Sequence, residues 1–319
     1  EVTVSVGVVP FRGGEAAPDL ILLTANTGKR LAKAGGRNAI RELAVDDHVV
    51  DQRRRSSALV EEIREAIRHN RFEIWCQELR PLTDAERGGL SYEILSRAKG
   101  REGQSLPPVE IFPVAEKYEL MREIDRLVAR NVLGWLAEHP ECLRRTRTCC
   151  INLSGASLDE ENADYYRGLI ESFRIPPKKL CFEVTETAAV ARFTRAVAFM
   201  HPLRAMGCRF ALDDFGTGMS SFEYFRELPV DKVKIDGVFI RGLEADGPNY
   251  AIVKAVVSIA RAFGLETVAE FTDNRRTIDL LAALGVDFAQ GHGISEAMPI
   301  EVFFGLSAPD VETAAAALP

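Results

Sequence analysis

Two hydrophobic periodicities alternate along most of this chain. Short apolar runs of four to eight residues are separated by longer stretches in which apolar positions return every three or four residues. The first pattern fits strands buried on both faces, and the second fits helices with one covered face. The candidate strands are 72–79, 91–97, 148–153, 179–185, 209–213, 232–235, 266–269 and 286–289. The segments 120–138, 194–206, 250–263 and 274–284 are long enough to be the crossovers between them. Strand–helix alternation of this kind predicts an α/β fold, a TIM-like (β/α)8 barrel over residues 71–306.

Upstream, a strand over 1–9, a polar glycine-containing turn (Gly13-Gly14-Glu15) and a helix over 17–34 stopping at Gly35-Gly36 form an incomplete α/β unit, residues 1–43. Residues 44–70 are expected to be a linker, with a charged stretch (46–57) leading into a helix at 58–69. Its Arg53-Arg54-Arg55 run could meet a phosphate or a membrane surface, but a solvated helix start is the favoured reading. Residues 307–319 are left as a tail.

Composition narrows the class. With 319 residues, 46% hydrophobic and 27% charged, the chain has the make-up of a globular protein, and no apolar run approaches the ~20 residues of a spanning helix. Six cysteines without metal-ligand spacing read as reduced core thiols, which suggests a cytoplasmic setting. A net charge of −7 argues against binding of DNA or RNA polymers. The chain starts directly in a strand without a basic-then-apolar leader, so it reads as a fragment of a longer protein, in which an upstream sensor or membrane domain is possible.

Chemistry concentrates at the strand ends, where Glu93, Asn152, Glu183, Asp213-Asp214, Lys234, Asp236, Glu270 and Gln290 stand in or just after successive strands. In a βα barrel these ends share one mouth. One such residue is ordinarily a turn former or helix cap. A ring of them is different, because carboxylates crowded together repel unless cations sit among them. Oxygen donors without histidine suit Mg²⁺, Mn²⁺ or Ca²⁺. The adjacent Asp213 and Asp214 could bridge two cations, which together activate water and stabilise a leaving oxygen in phosphoester cleavage.

The ordered motifs resemble those of the EAL-domain phosphodiesterases of bacterial cyclic di-GMP signalling. They are Glu93-Ile94-Leu95-Ser96-Arg97, Ile151-Asn152-Leu153, Phe182-Glu183-Val184-Thr185-Glu186, Leu212-Asp213-Asp214-Phe215-Gly216-Thr217-Gly218, Val233-Lys234-Ile235-Asp236, Val268-Ala269-Glu270 and Ala289-Gln290-Gly291. The resemblance implies a two-metal site for Mg²⁺ or Mn²⁺, with Ca²⁺ inhibitory. Glu93, Asn152, Glu183 and Asp213 would hold one ion, and Asp213, Asp214 and Glu270 the second with its water. It further implies Glu270, Lys234 and Asp214 as catalytic residues, with Glu270 the general base. Arg97, Gln77, Gln290 and Asp236 would bind substrate, and Glu186 would steady the Asp-Asp loop. The implied reaction opens cyclic di-GMP to linear pGpG, in a homodimer formed near 215–221.

Residues 1–43 resemble the closing part of a GGDEF domain, without the cyclase signature. The chain departs from the EAL pattern at Glu78, Ile94, Ala98-Lys99-Gly100-Arg101, Phe271-Thr272-Asp273 and His292. Phe271 stands where glycine is usual, and it would strain its loop if the backbone φ there is positive. Two alternatives remain: an EAL-type receptor that binds cyclic di-GMP without turnover, and an unrelated aldolase-like barrel, which would need a Schiff-base lysine or a phosphate-binding glycine loop.

Overall fold

The computed structural model describes residues 4–12, 18–34, 39–43, 47–83, 88–216, 227–245 and 247–306. Contacts divide the chain into two compact units, Glu1–Ile63 and Arg64–Pro319. In the first, Val6–Val8 pairs in parallel with Ile40–Glu42, and the helix Pro18–Ala34 connects them. The glycine pairs Gly13-Gly14 and Gly35-Gly36 lie outside the described residues. A single helix, Asp47–Arg68, includes residues 47–57 of the charged stretch expected to lead into it, Asp46 lying outside the described residues. That stretch has neither glycine nor proline, so nothing interrupts helix propagation.

The larger unit is the barrel. Its principal strands are β1 (Phe72–Glu78), β2 (Leu90–Lys99), β3 (Thr146–Asn152), β4 (Leu180–Thr185), β5 (Arg209–Phe215), β6 (Lys232–Ile235), β7 (Glu266–Ala269) and β8 (Phe288–Ala289). They neighbour one another in chain order, and every pair from β2 to β8 is parallel. The exception is β1, antiparallel to β2 with Gln77 opposite Glu93. The link from Glu78 to Leu90 is too short for the crossover that parallel pairing needs. Beyond Leu79 the chain continues into Arg80–Pro81, which pairs with β8 and closes the ring.

The crossovers are α1 (Met121–Glu138), α2 (Glu160–Phe173), α3 (Phe193–Met206), α4 (Pro248–Ala262) and α5 (Arg275–Leu284). The helix α2 was not among the expected crossovers; it begins where the Asp159 side chain accepts from the Asn162 N–H and ends at Arg174 in the left-handed region. At α5 the Asn274 side chain caps the Thr277 N–H, and Gly285 terminates the helix at φ 80°.

Inside the barrel, side chains stack in two levels because alternate residues of a strand face the same side. Leu79, Cys150, Cys181, Ala211, Val268 and Phe288 form one fully buried apolar cluster. Two residues away on the same strands and their ends stand Gln77, Asn152, Glu183, Asp213, Glu270 and Gln290. The polar level is thus seated on an apolar floor.

Candidate active site

The centre of the polar level is the buried ammonium of Lys234 on β6. Its Nζ lies 2.8 Å from Glu183, 2.8 Å from Glu270, 3.0 Å from Asp213 and 3.1 Å from Glu93. Burial alone would depress the Lys234 pKa, but Asp213, Glu183, Glu93 and Glu270 outweigh it and hold the group well above its ordinary value. The same balance acts on the acids. Burial pushes Glu270 up to about 8 and Glu183 well above the carboxylate range, with Lys234 opposing the rise in both.

Glu93 is bound on both oxygens. Asn152 Nδ2 donates to Oε1 at 2.5 Å, while Lys234 and Gln290 Nε2 approach Oε2, the latter at 2.8 Å. Gln290 also donates to Gln77 Oε1 at 3.1 Å, and Gln77 donates to the Ser295 carbonyl at 2.8 Å. This chain of amides ties β8 and β1 to β2 across the closure of the ring.

Consecutive residues on an extended strand point to opposite faces, yet Asp213, Asp214 and Glu270 each bring an oxygen within 4.8 Å of the others. A bulge accounts for this. From Leu212 to Phe215 β5 advances three residues while β6 advances two, from Val233 to Ile235, and Asp214 sits at φ 54°. The left-handed residue turns the second carboxylate back towards the first. Downstream, the Gly216 N–H donates to Glu186 Oε2 at 3.0 Å, and Gly216 takes φ 98° where a Cβ would come within 2.9 Å of the Phe239 ring. Burial, then Asp213 and Asp236, raise the Asp214 pKa.

A divalent cation suits this donor set. Four carboxylates face one ammonium: Glu183 Oε2 and Asp213 Oδ1 are both met by Lys234 Nζ, and Glu183 Oε1 is buried without a hydrogen-bond partner. Asn152 turns its amide nitrogen to Glu93, which leaves its carbonyl oxygen for a cation. All these donors are hard oxygens. Cys150, Cys181 and Glu183 form a second close group, but its two cysteines belong to the apolar floor. The hydrogen bond to Cys181 and burial hold the Cys150 thiol well above its ordinary value, against the thiolate that metal binding requires.

A cavity of about 290 Å³ opens beside the carboxylates, lined by Gln77, Glu93, Asp214, Glu270 and Gln290 together with the exposed Phe271 and His292. Two expected substrate contacts are otherwise engaged. Asp236 caps the short helix Gly237–Ile240, accepting from the Val238 N–H at 2.6 Å. Arg97 donates to the Ser96 carbonyl at 3.2 Å and lies 5.6 Å from the Trp75 ring centroid. Phe271 has φ 49°, the strained backbone anticipated from its place in the sequence. The segment 217–221 lies outside the described residues.

A family model for the EAL domain matches residues 60–297. The chain belongs to the EAL family. This EAL chain is 36% identical over 301 residues to the cyclic di-GMP phosphodiesterase PdeB of Shewanella oneidensis, covering 94% of the chain and 35% of the relative. It is 32% identical over 244 residues to the cyclic di-GMP phosphodiesterase PdeF of Escherichia coli, covering 76% and 32%. It therefore spans about a third of the length of these relatives. Among solved structures, the EAL domain of FimX from Pseudomonas aeruginosa bound to c-di-GMP superposes with a TM-score of 0.69 at 25% identity, covering 75% of this chain and 96% of that one. No helix among the described residues is long and apolar enough to cross a membrane.

Next to the cavity-lining Phe271 stands Arg241, not singled out from sequence, whose guanidinium lies 4.3 Å from the Phe271 ring centroid. It follows the Lys234-Ile235-Asp236 motif after the four-residue helix Gly237–Ile240, and nothing in its local pattern marks it.

Proposed function

We propose that this EAL barrel is a metal-dependent phosphodiesterase that hydrolyses cyclic di-GMP to linear pGpG. The observation that carries the reading is the convergence of Asp213, Asp214 and Glu270 beside a lysine already outnumbered by carboxylates. Relatives about a third identical to it over the aligned region are cyclic di-GMP phosphodiesterases. Two Mg²⁺ or Mn²⁺ ions would be held by Glu93, Asn152, Glu183 and Asp213 on one side and Asp213, Asp214 and Glu270 on the other. When bound, they supply positive charge to the phosphate and lower the pKa of water.

The chain's own groups do the rest. Glu270 accepts the proton of the attacking water, and Lys234 opposes protonation of the acids around it and stabilises charge on the phosphate. Gln77 and Gln290 position the substrate, with Arg97 and Asp236 as contacts once released from their present partners. Glu186 fixes the backbone behind Asp213-Asp214. Residues 1–43 are proposed to be the end of a GGDEF-like domain in a cytoplasmic part of a longer protein, with homodimer contacts near 215–221.

A second reading, a receptor without turnover, is favoured by Phe271, whose exposed ring lines the cavity. The test is incubation of the purified chain with cyclic di-GMP and Mg²⁺ or Mn²⁺, alongside Asp213→Asn. Linear product from the wild type alone supports the enzyme; tight binding without product supports the receptor.

A further inference from the structure

Asp125 is the charged exception on the buried face of α1, beside Ile124, Leu127, Val128 and Val132. A carboxylate buried there costs free energy that an apolar residue would not, unless donors meet it. Three do, all on one oxygen: the Ser154 N–H at 2.9 Å, Ser154 Oγ at 2.6 Å and Ser157 Oγ at 2.6 Å reach Asp125 Oδ2. Ser154 stands at the N-cap of the short turn Gly155–Ser157, where a serine hydroxyl ordinarily folds onto the turn's own N–H groups. Here it caps nothing and is given to Asp125. What this clamp grips is the end of β3. The strand stops at Asn152, and the Leu153 N–H makes one further bond, to the Glu183 carbonyl at 2.8 Å. Ser154 follows, so Asp125 holds the backbone two residues beyond Asn152, where sheet pairing has ended. The same helix α1 is the crossover from β2, which carries Glu93, to β3, which carries Asn152.

We propose that Asp125 is a positioning residue for the metal site: through Ser154 and Ser157 its carboxylate sets the aim of Asn152 towards the ion shared with Glu93, Glu183 and Asp213. The assignment rests on the metal-dependent reading above and adds to it a residue that touches neither metal nor substrate. Asn152 is the donor of that group whose hold depends most on aim. Its Nδ2 is spent on Glu93, and its remaining oxygen is neutral, with no net charge to draw it to a cation. With the Asp125 carboxylate gone, the Ser154 hydroxyl can return to its own turn, and the backbone after Asn152 loses its anchor on α1. Groups one step removed from a metal change its affinity or the activity by about 10–100-fold.

The experiment titrates the chain with Mn²⁺ without substrate, reads bound ion by electron paramagnetic resonance, and records a melting curve for each variant. Asp125→Asn keeps the shape and one accepting oxygen but loses the charge, and Ser157→Ala removes one of the three donors. Val132→Ala opens a small gap on the same helix with the clamp intact, as a control for lost stability. In Asp125→Asn the Kd of one Mn²⁺ should rise about tenfold, with an altered spectrum of the bound ion. Ser157→Ala should show a smaller rise, and Val132→Ala should melt earlier yet bind Mn²⁺ as wild type does. With cyclic di-GMP, Asp125→Asn should lose kcat at limiting Mn²⁺ and recover most of it at saturating Mn²⁺, with KM unchanged. A wild-type Mn²⁺ Kd in Asp125→Asn, or an equal loss of affinity in Val132→Ala, overturns the positioning role alone. Should Asp125→Asn fail to fold, an unchanged Kd in Ser157→Ala overturns it. A wild type that takes up no Mn²⁺ overturns the metal-dependent reading and the positioning role with it.

Discussion

Lys234 on β6 and Glu93 on β2 stand 141 positions apart in sequence, yet their charged atoms meet at 3.1 Å inside the barrel. The same ammonium serves three further acids, so it is the counter-charge for the whole polar level in the absence of cations. Lys234→Met keeps much of the side-chain volume and removes the charge. Loss of one partner from a buried ionic group costs about 3–5 kcal/mol, so the variant should unfold earlier in metal-free buffer. Mg²⁺ should restore more stability to the variant than it adds to wild type. Equal Mg²⁺ shifts in the two melting curves would contradict this account.

Glu186 Oε2 accepts from the Gly216 N–H, two residues beyond Asp214, and so would act on the proposed catalytic doublet at one remove. Glu186→Ala should lower kcat by about 10-fold or more while leaving KM close to wild type, since its target is the backbone that sets Asp213 and Asp214. Glu186→Gln keeps an oxygen that can accept from Gly216 and should recover most of the rate. If both variants were equally impaired, charge rather than the hydrogen bond would be the operative feature.

Asp125 offers a pH test away from the carboxylate cluster. It is fully buried and accepts from the Ser154 N–H at 2.9 Å, Ser154 Oγ at 2.6 Å and Ser157 Oγ at 2.6 Å. Burial nevertheless pushes its pKa up to about 6, from an ordinary value of 3.8, with the serine hydrogen bonds opposing the rise. A carboxyl with a raised folded pKa binds more protons folded than unfolded between those two values. Its contribution to stability therefore improves as pH falls through about 6 and levels off near 4. Against Asp125→Asn, wild type should gain on the order of 2 kcal/mol across that window. Parallel denaturation curves at all pH values would rule out the titration.

All six cysteines are free and buried. Burial pushes Cys208 up to about 12, and burial likewise raises Cys76 and Cys149. Native protein at pH 8 should react slowly with a thiol reagent, and all six thiols should appear only on unfolding. Rapid labelling of a native cysteine would show that this part of the core opens.

Much of the barrel is legible because apolar runs and strand-end polar residues repeat together. Lys232–Ile235 and Glu266–Ala269 fall where the pattern puts them. The reversal of β1 is harder to see, since its hydrophobicity is the same in either direction; only the short link to Leu90 betrays it. The site residues on β2 to β8 were readable as strand ends. The bulge at Asp214 was not, because it depends on how β5 registers against β6. Arg241 is invisible in sequence because its partner Phe271 comes from the next strand end, 30 positions away.

The seating of the polar residues two positions from the apolar floor has a consequence for how such a chain can vary. Replacing Asn152 or Gln290 leaves Cys150 and Phe288 where they are, so the chemistry of the mouth can be edited one strand at a time. A single-residue insertion within β4 or β7 is another matter. It would turn Glu183 or Glu270 outward and carry an outer side chain into the floor, so length errors in these strands should be lost as folding failures, not as slow enzymes.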